Sequence, residues 1–264
     1  MNINIRTSAA RGLALTTLLA LAAAAPAAEY GNIKGRFVFE GTPKVEPISV
    51  SKDPEFCGKH ELNVETISVG DKNGLQNVFV YLYTARGKKI DVNPELKPAA
   101  EPKMLDNKGC RFEPHAMTLW TEEELKIHNS DAGIGHNTNA MKLVANPSFN
   151  QTIPNDAPLI KKFAKSEPIP TQVSCSIHPW MNAVVLIRDN PYMAVSGKDG
   201  SFEIKGVPAG KHPFVFWHEG KGNLKTLKVG KDKADRKGQV ELEVPAGETL
   251  DLGDITVPSA LVGK

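Results

Sequence analysis

Seven consecutive residues, Cys175-Ser-Ile-His178-Pro-Trp-Met181, set a thiol, an imidazole and a thioether at intervals of three. As a thiolate, the cysteine is a nucleophile or a soft metal ligand. With a neutral imidazole and a thioether beside it, the set suits copper cycling between Cu(I) and Cu(II). Such a site takes two His, one Cys and a long, weak axial Met, and this loop carries three of the four. Pro179 lacks an N–H and stiffens the loop. Cys-x-x-His alone is also half of a zinc site, but Met is a poor zinc ligand.

The fourth ligand must be a histidine from another strand, and His128 and His136 are the two candidates. In the strand Leu125-Lys-Ile-His-Asn129, Leu125, Ile127 and Asn129 share one face, which turns His128 the other way with Lys126. His136 follows the turn-prone run Asn129-Ser-Asp-Ala-Gly-Ile-Gly135, at a sheet end where a metal loop would meet it. The facing argument favours His136. His115, Trp217-His218-Glu219, Met117 and Met141 read as packing or strand-end residues.

The three cysteines, Cys57, Cys110 and Cys175, are an odd number. If Cys57 pairs with Cys110, closing that loop stabilises the fold by about 4 kcal/mol in the chain-entropy model. Cys175 would then be alone, and an unpaired thiol in an oxidising compartment persists when a metal holds it as thiolate.

Strand signals must position these residues. Gly31–Gly41, Asn77–Tyr83, Ala116–Trp120 and Glu124–Asn129 read as strands, and Asn182–Arg188 leaves the ligand loop as a mostly apolar one. Residues 42–74 are turn-rich, 86–109 read as a charged surface excursion, and 130–171 as a loop-dominated stretch. After Asn190 the pattern becomes hairpins: 200–206, 213–217, 239–244 and 249–257. With 19 Pro and 22 Gly, the fold class is all-β.

Residues 1–28 read as a signal peptide: Arg6 and Arg11, the apolar run Leu13–Ala25, and a cleavage site near Ala27 and Ala28. No later run is long enough for a transmembrane segment. Without Arg6 and Arg11, the 32 Lys and Arg fall to 30, equal to the 30 Asp and Glu. No basic stripe therefore speaks for nucleic acid or a membrane surface. The expected location is periplasmic or secreted.

Asn129-Ser-Asp131, His136-Asn137 and Cys175-x-x-His178-x-x-Met181 together resemble the cupredoxin family, in its amicyanin-like and plastocyanin-like branch with a short Cys-to-Met loop. That resemblance covers residues 72–190. It implies a Greek-key sandwich with one type 1 copper at its end, ligated by His136, Cys175, His178 and Met181. It also implies that Asn137 ties the two ligand loops together. Pro179 and Trp180 would form an apolar collar around an exposed edge of His178, the expected electron port. Residues 191–264, with Asp199-Gly-Ser-Phe-Glu-Ile204, resemble a carboxypeptidase regulatory-like, prealbumin-type β-sandwich. Residues 29–71 would supply a strand that completes it.

The function expected from these readings is one-electron transport with a redox partner protein such as a cytochrome or a dehydrogenase. Copper buffering with the same ligands and an architectural scaffold are the alternatives. Enzymatic copper is not expected. Ser174 and Ser176 flank Cys175 where a multicopper oxidase resembles His-Cys-His, and a dinuclear site would need a second cysteine in the loop.

Overall fold

The computed structural model describes Met1 and residues 29–263. The expected signal peptide, apart from Met1, lies outside the described residues. The described residues are mostly strand and connecting loop, with little helix. Its first half runs β1 (Tyr30–Glu40), a short helix α1 (Pro54–Cys57), β2 (Phe79–Leu82), β3 (Lys103–Asn107), β4 (Phe112–Glu113), β5 (Ala116–Trp120) and β6 (Glu124–Asn129). Then follow β7 (His136–Asn139), β8 (Asn150–Ile153), β9 (Leu159–Lys162), β10 (Thr171–Ser174) and β11 (Asn182–Arg188). The last part holds β12 (Met193–Val195), β13 (Ser201–Pro208), β14 (Gly210–His218), β15 (Gly222–Asn223), β16 (Lys228–Val229), β17 (Asp232–Lys233), β18 (Gln239–Val244), β19 (Thr249–Pro258) and α2 (Ser259–Val262).

Four sheets are stacked, and the alternation of side chains along the strands determines the layers. The outer sheet is β13-β1-β19, and next to it lies β12-β2-β14-β15, with β18 also on β14. Phe37, Phe202 and Val257 from the first and Val80, Leu82 and Phe214 from the second form the core between them. The other face of the second sheet presents Phe79, Tyr81, Val215 and Trp217 to Ala116, Trp120, Val184 and Leu186. Those last four lie on the sheet β5-β11-β10-β7-β8. The opposite face of that sheet, with Met117, Leu119, Val185 and Ile187, packs on Leu105, Phe112, Leu125 and Ile127 of the fourth sheet, β4-β3-β6-β9. β11 is therefore buried on both faces, which is why its sequence is apolar without alternation. Each fully buried large side chain in the middle core contributes roughly 1.5–3 kcal/mol. That core joins the two sandwiches.

Two sequence expectations are corrected here. The strand Phe79–Leu82, expected inside the 72–190 domain, hydrogen-bonds instead between β12 and β14 of the other sandwich. All four of its residues are buried, so hydrophobicity marks it as central but carries no information about its partners. The 86–109 excursion contains β3, which pairs parallel with β6 and buries Leu105 and Asn107. Five residues with two apolar side chains gave too short a pattern to detect. At the chain's start, β1 lies between β13 and β19. Gly200, at φ +82°, turns the chain into β13 where a Cβ would meet the Phe37 carbonyl oxygen at 2.2 Å.

His115 joins three separate segments. Its Nε2 is 2.5 Å from Glu219 on the turn after β14. Its Nδ1 is 3.5 Å from Glu65, within Coulomb reach, and Arg111 approaches the same carboxylate at 3.9 Å. Burial pushes His115 down, but Glu219 and Glu65 more than reverse this and raise it to about 9. A raised folded-state value means stability that is complete below the unfolded value of 6.5 and lost as pH rises through 9. The stability advantage of wild type over His115→Gln, measured by urea denaturation, should be constant below pH 6.5. Between pH 6.5 and 9 it should shrink by up to about 1.4 kcal/mol per pH unit. A difference independent of pH would contradict the pairing.

Candidate metal centre

The centre forms where β7 begins and β10 ends. β7 and β10 are antiparallel, with Ser174 opposite Asn139. Carried onward, that register sets His136 beside the loop that follows Cys175. The loop closes on itself, because Cys175 N donates to Met181 O at 3.1 Å and Met181 N to His178 O at 2.9 Å. β11 then returns antiparallel to β10, with Asn182 opposite Ser174. Two strand ends and one tight loop thus converge on one point.

Cys175 Sγ lies 4.0 Å from His136 Nδ1 and 3.9 Å from His178 Nδ1. The two rings are 4.6 Å apart between centroids. His136 and His178 are fully buried, and Cys175 is 2% exposed. Met181 is buried in the same core as Cys175, at the loop's closing hydrogen bonds. Among the described residues, His136, Cys175 and His178 form a group whose ligand atoms all lie within 4.8 Å of one another. Cys110, Asp131 and His136 are equally close, but the Cys110 sulfur is engaged in a disulfide with Cys57. Cys175 is the free cysteine.

Each imidazole is held from behind by a carboxylate. His136 Nε2 is 2.8 Å from Asp131 Oδ2, and His178 Nε2 is 2.9 Å from Asp53 Oδ2. Such contacts fix ring orientation and tautomer, leaving Nδ1 to face a metal. Asp131 also accepts from the N–H groups of Gly109 and Cys110, at 2.6 and 2.9 Å. Asn137 Oδ1 accepts from Ser176 N at 2.8 Å and Ile177 N at 3.3 Å, and lies 3.3 Å from Cys175 Sγ. One side chain of the β7 strand therefore pins the ligand loop.

Electrostatics favour a thiolate here. Burial pushes the Cys175 thiol up, but His136 and the backbone N–H groups of Asn137, His178 and Ile177 outweigh it and hold it below its ordinary value. Burial lowers His136, and Asp131 and Cys175 reverse that to about 9. His178 is lowered by burial and by His136, against the opposing pull of Asp53. In the metal-free chain His136 and Cys175 thus shift each other toward their charged forms, while His178 is shifted toward its neutral one. One soft anionic sulfur and two imidazole nitrogens suit copper.

His128 lies elsewhere, on β6, with Nδ1 3.1 Å from Asp106 and 3.1 Å from Ser130. The expected exposed edge of His178 is corrected. The ring is fully buried because the segment bearing Asp53 lies over it. Pro179 is exposed, whereas Trp180 is partly buried, stacks edge-on to His178 at 5.2 Å and donates Nε1–H to the Cys110 carbonyl. Met141, expected to be packed, is 59% exposed. Asp131 had a signal in sequence, a carboxylate in the turn before His136. Asp53 had none, being 125 residues from the histidine it holds.

No protein-family model and no curated protein matches the chain. Among solved structures it is similar to a Cu-containing nitrite reductase from Thermus scotoductus SA-01, at 15% identity and TM-score 0.31. The alignment covers 40% of this chain and 25% of that one, so it spans about a quarter of the reductase. An amicyanin variant in the Cu(I) state aligns at 12% identity and TM-score 0.28, over 33% of this chain and 82% of that one. A purple cupredoxin from Nitrosopumilus maritimus aligns at 16% identity and TM-score 0.27, over 32% and 98%.

Asn137→Ala should leave the Ser176 N–H without its acceptor. The expected cost is about 1–3 kcal/mol in urea denaturation of the metal-free protein. An unchanged midpoint would show that the loop holds its shape without Asn137.

Proposed function

We propose that this chain is an exported, mononuclear type 1 copper protein that carries single electrons and is not itself an enzyme. Its ligands are His136, Cys175 and His178, with Met181 axial. The observation that carries this reading is one buried, free thiol about 4 Å from two buried Nδ1 atoms, each ring braced by a carboxylate. Bound copper would supply the Cu(I)/Cu(II) couple.

The chain's own residues serve electron exchange by resisting movement. Asp131 and Asp53 hold the rings, Asn137 holds the loop, and the Cys175–Met181 hydrogen bonds close it. Little rearrangement is then needed when charge changes by one. Burial of the three donors excludes water. A cytochrome or a dehydrogenase is the class of partner such a carrier meets, in the periplasm or outside the cell. Among the described residues no helix is long and apolar enough to cross a membrane. The second sandwich braces the first through the shared core of Phe79, Tyr81, Val184 and Leu186.

One observation favours a second reading, copper storage with the same ligands. His178 is fully buried, with Asp53 on its outer nitrogen, so the usual short route from imidazole to solvent is covered. Electrochemistry separates the two, because a store need not turn over.

Cu(II) added to the mature protein should saturate at one equivalent, with an intense visible thiolate-to-copper band and a reversible one-electron couple. Cys175→Ser should abolish the band. His128→Ala should leave it intact, and Met181→Leu should keep the colour while shifting the potential. Binding without reversible reduction favours storage. Colour surviving Cys175→Ser, or lost in His128→Ala, would overturn the ligand set.

A further inference from the structure

Residues 46–64 form a closed loop whose base is paired, Ile48 N to Leu62 O and Val64 N to Glu46 O, both at 2.9 Å. At its tip Asp53 precedes α1 in a left-handed conformation, φ 48°. An aspartate at that position ordinarily caps the helix with its side chain. Here it makes no capping hydrogen bond, and its carboxylate goes to His178 Nε2 instead. α1 is four residues long and ends at Cys57, which is disulfide-bonded to Cys110. Cys57 N also donates to Asp53 O at 2.9 Å, so carboxylate and tether are one rigid unit. Pro54 and Glu55 are exposed. An open crevice of about 430 Å³, with Lys52, Asp53, Phe56 and Ile134 among its walls, separates this tip from the turn preceding His136.

We propose that this tethered tip is a cap on the metal centre, in which Asp53 is the positioning residue that closes the His178 face and the Cys57–Cys110 bond holds it there. The geometry makes the cap depend on few contacts at its tip, since the crevice beside it leaves the carboxylate as its polar attachment to the ligand ring. The cap sets what reaches the centre: a partner or small reagent meets Asp53 and its neighbours before it meets an imidazole. This deepens the copper reading, whose ligand His178 is the residue covered. It is tested on metal-free protein, so failure of the cap and failure to bind copper give different results.

The test is the rate at which diethyl pyrocarbonate modifies His178 in folded, metal-free protein. Rates are read by peptide mass mapping and normalised to His128, whose side chain is 28% exposed. In wild type, His178 should react far more slowly than His128. Asp53→Ala should speed His178 at least tenfold, and Asp53→Asn, which keeps an oxygen acceptor for Nε2–H, should restore protection. Cys57→Ala/Cys110→Ala, with Asp53 intact but untethered, should also speed it and gives an independent route should Asp53→Ala fold poorly. His178 reacting as fast as His128 in wild type, or no faster in either variant than in wild type, overturns the cap. Equal reactivity in Asp53→Asn and Asp53→Ala overturns the hydrogen bond as its closing contact.

Discussion

Taking a cysteine sulfur inclined to ionise and two imidazoles out of water within 4.8 Å of one another costs several kcal/mol unless each is compensated. The structure compensates all three. Cys175 sits among backbone N–H groups and beside His136, and the two rings each place Nε2 on a carboxylate. Much of the surrounding architecture follows from keeping those partners in place. The Cys57–Cys110 disulfide is central to that task. Asp53 is four residues before one of its cysteines, Asp131 accepts from the backbone of the other, and Trp180 donates to that same residue's carbonyl. A single covalent link thus connects both histidine braces and the aromatic residue of the ligand loop.

The layered stack supplies the rigidity from the opposite side. β11 leaves the ligand loop and runs directly between two cores, with Val184 and Leu186 packed one way and Val185 and Ile187 the other. A displacement at Met181 would have to disturb close-packed side chains on both faces, which interiors resist. The second sandwich therefore contributes to the centre without touching it.

The 175–181 loop stood out in the sequence because its chemistry is local: three donor-type side chains lie in seven residues, and the structure brings two of them, Cys175 and His178, together with His136. The face of His128 was legible too, since strand alternation alone turns it from the side that Ile127 and Asn129 bury. The strands with clear alternation, such as Gln239–Val244, stood out for the same reason. Long-range closure was not legible. Nothing at position 53 indicates a hydrogen bond to residue 178, so the ring expected at the surface is buried. Phe79–Leu82 reads as a central strand from its composition, yet which sheet it enters depends on partners more than a hundred residues away. Lys103–Asn107 was missed because five residues with two apolar side chains cannot establish a period.

The most direct measurement is X-ray absorption at the copper edge on the protein loaded with one equivalent of copper, in both oxidation states. The proposed ligand set predicts one short copper–sulfur bond and two imidazole nitrogens, with distances that barely change on reduction. A first shell of nitrogen and oxygen only, or one whose coordination number changes between states, would contradict it.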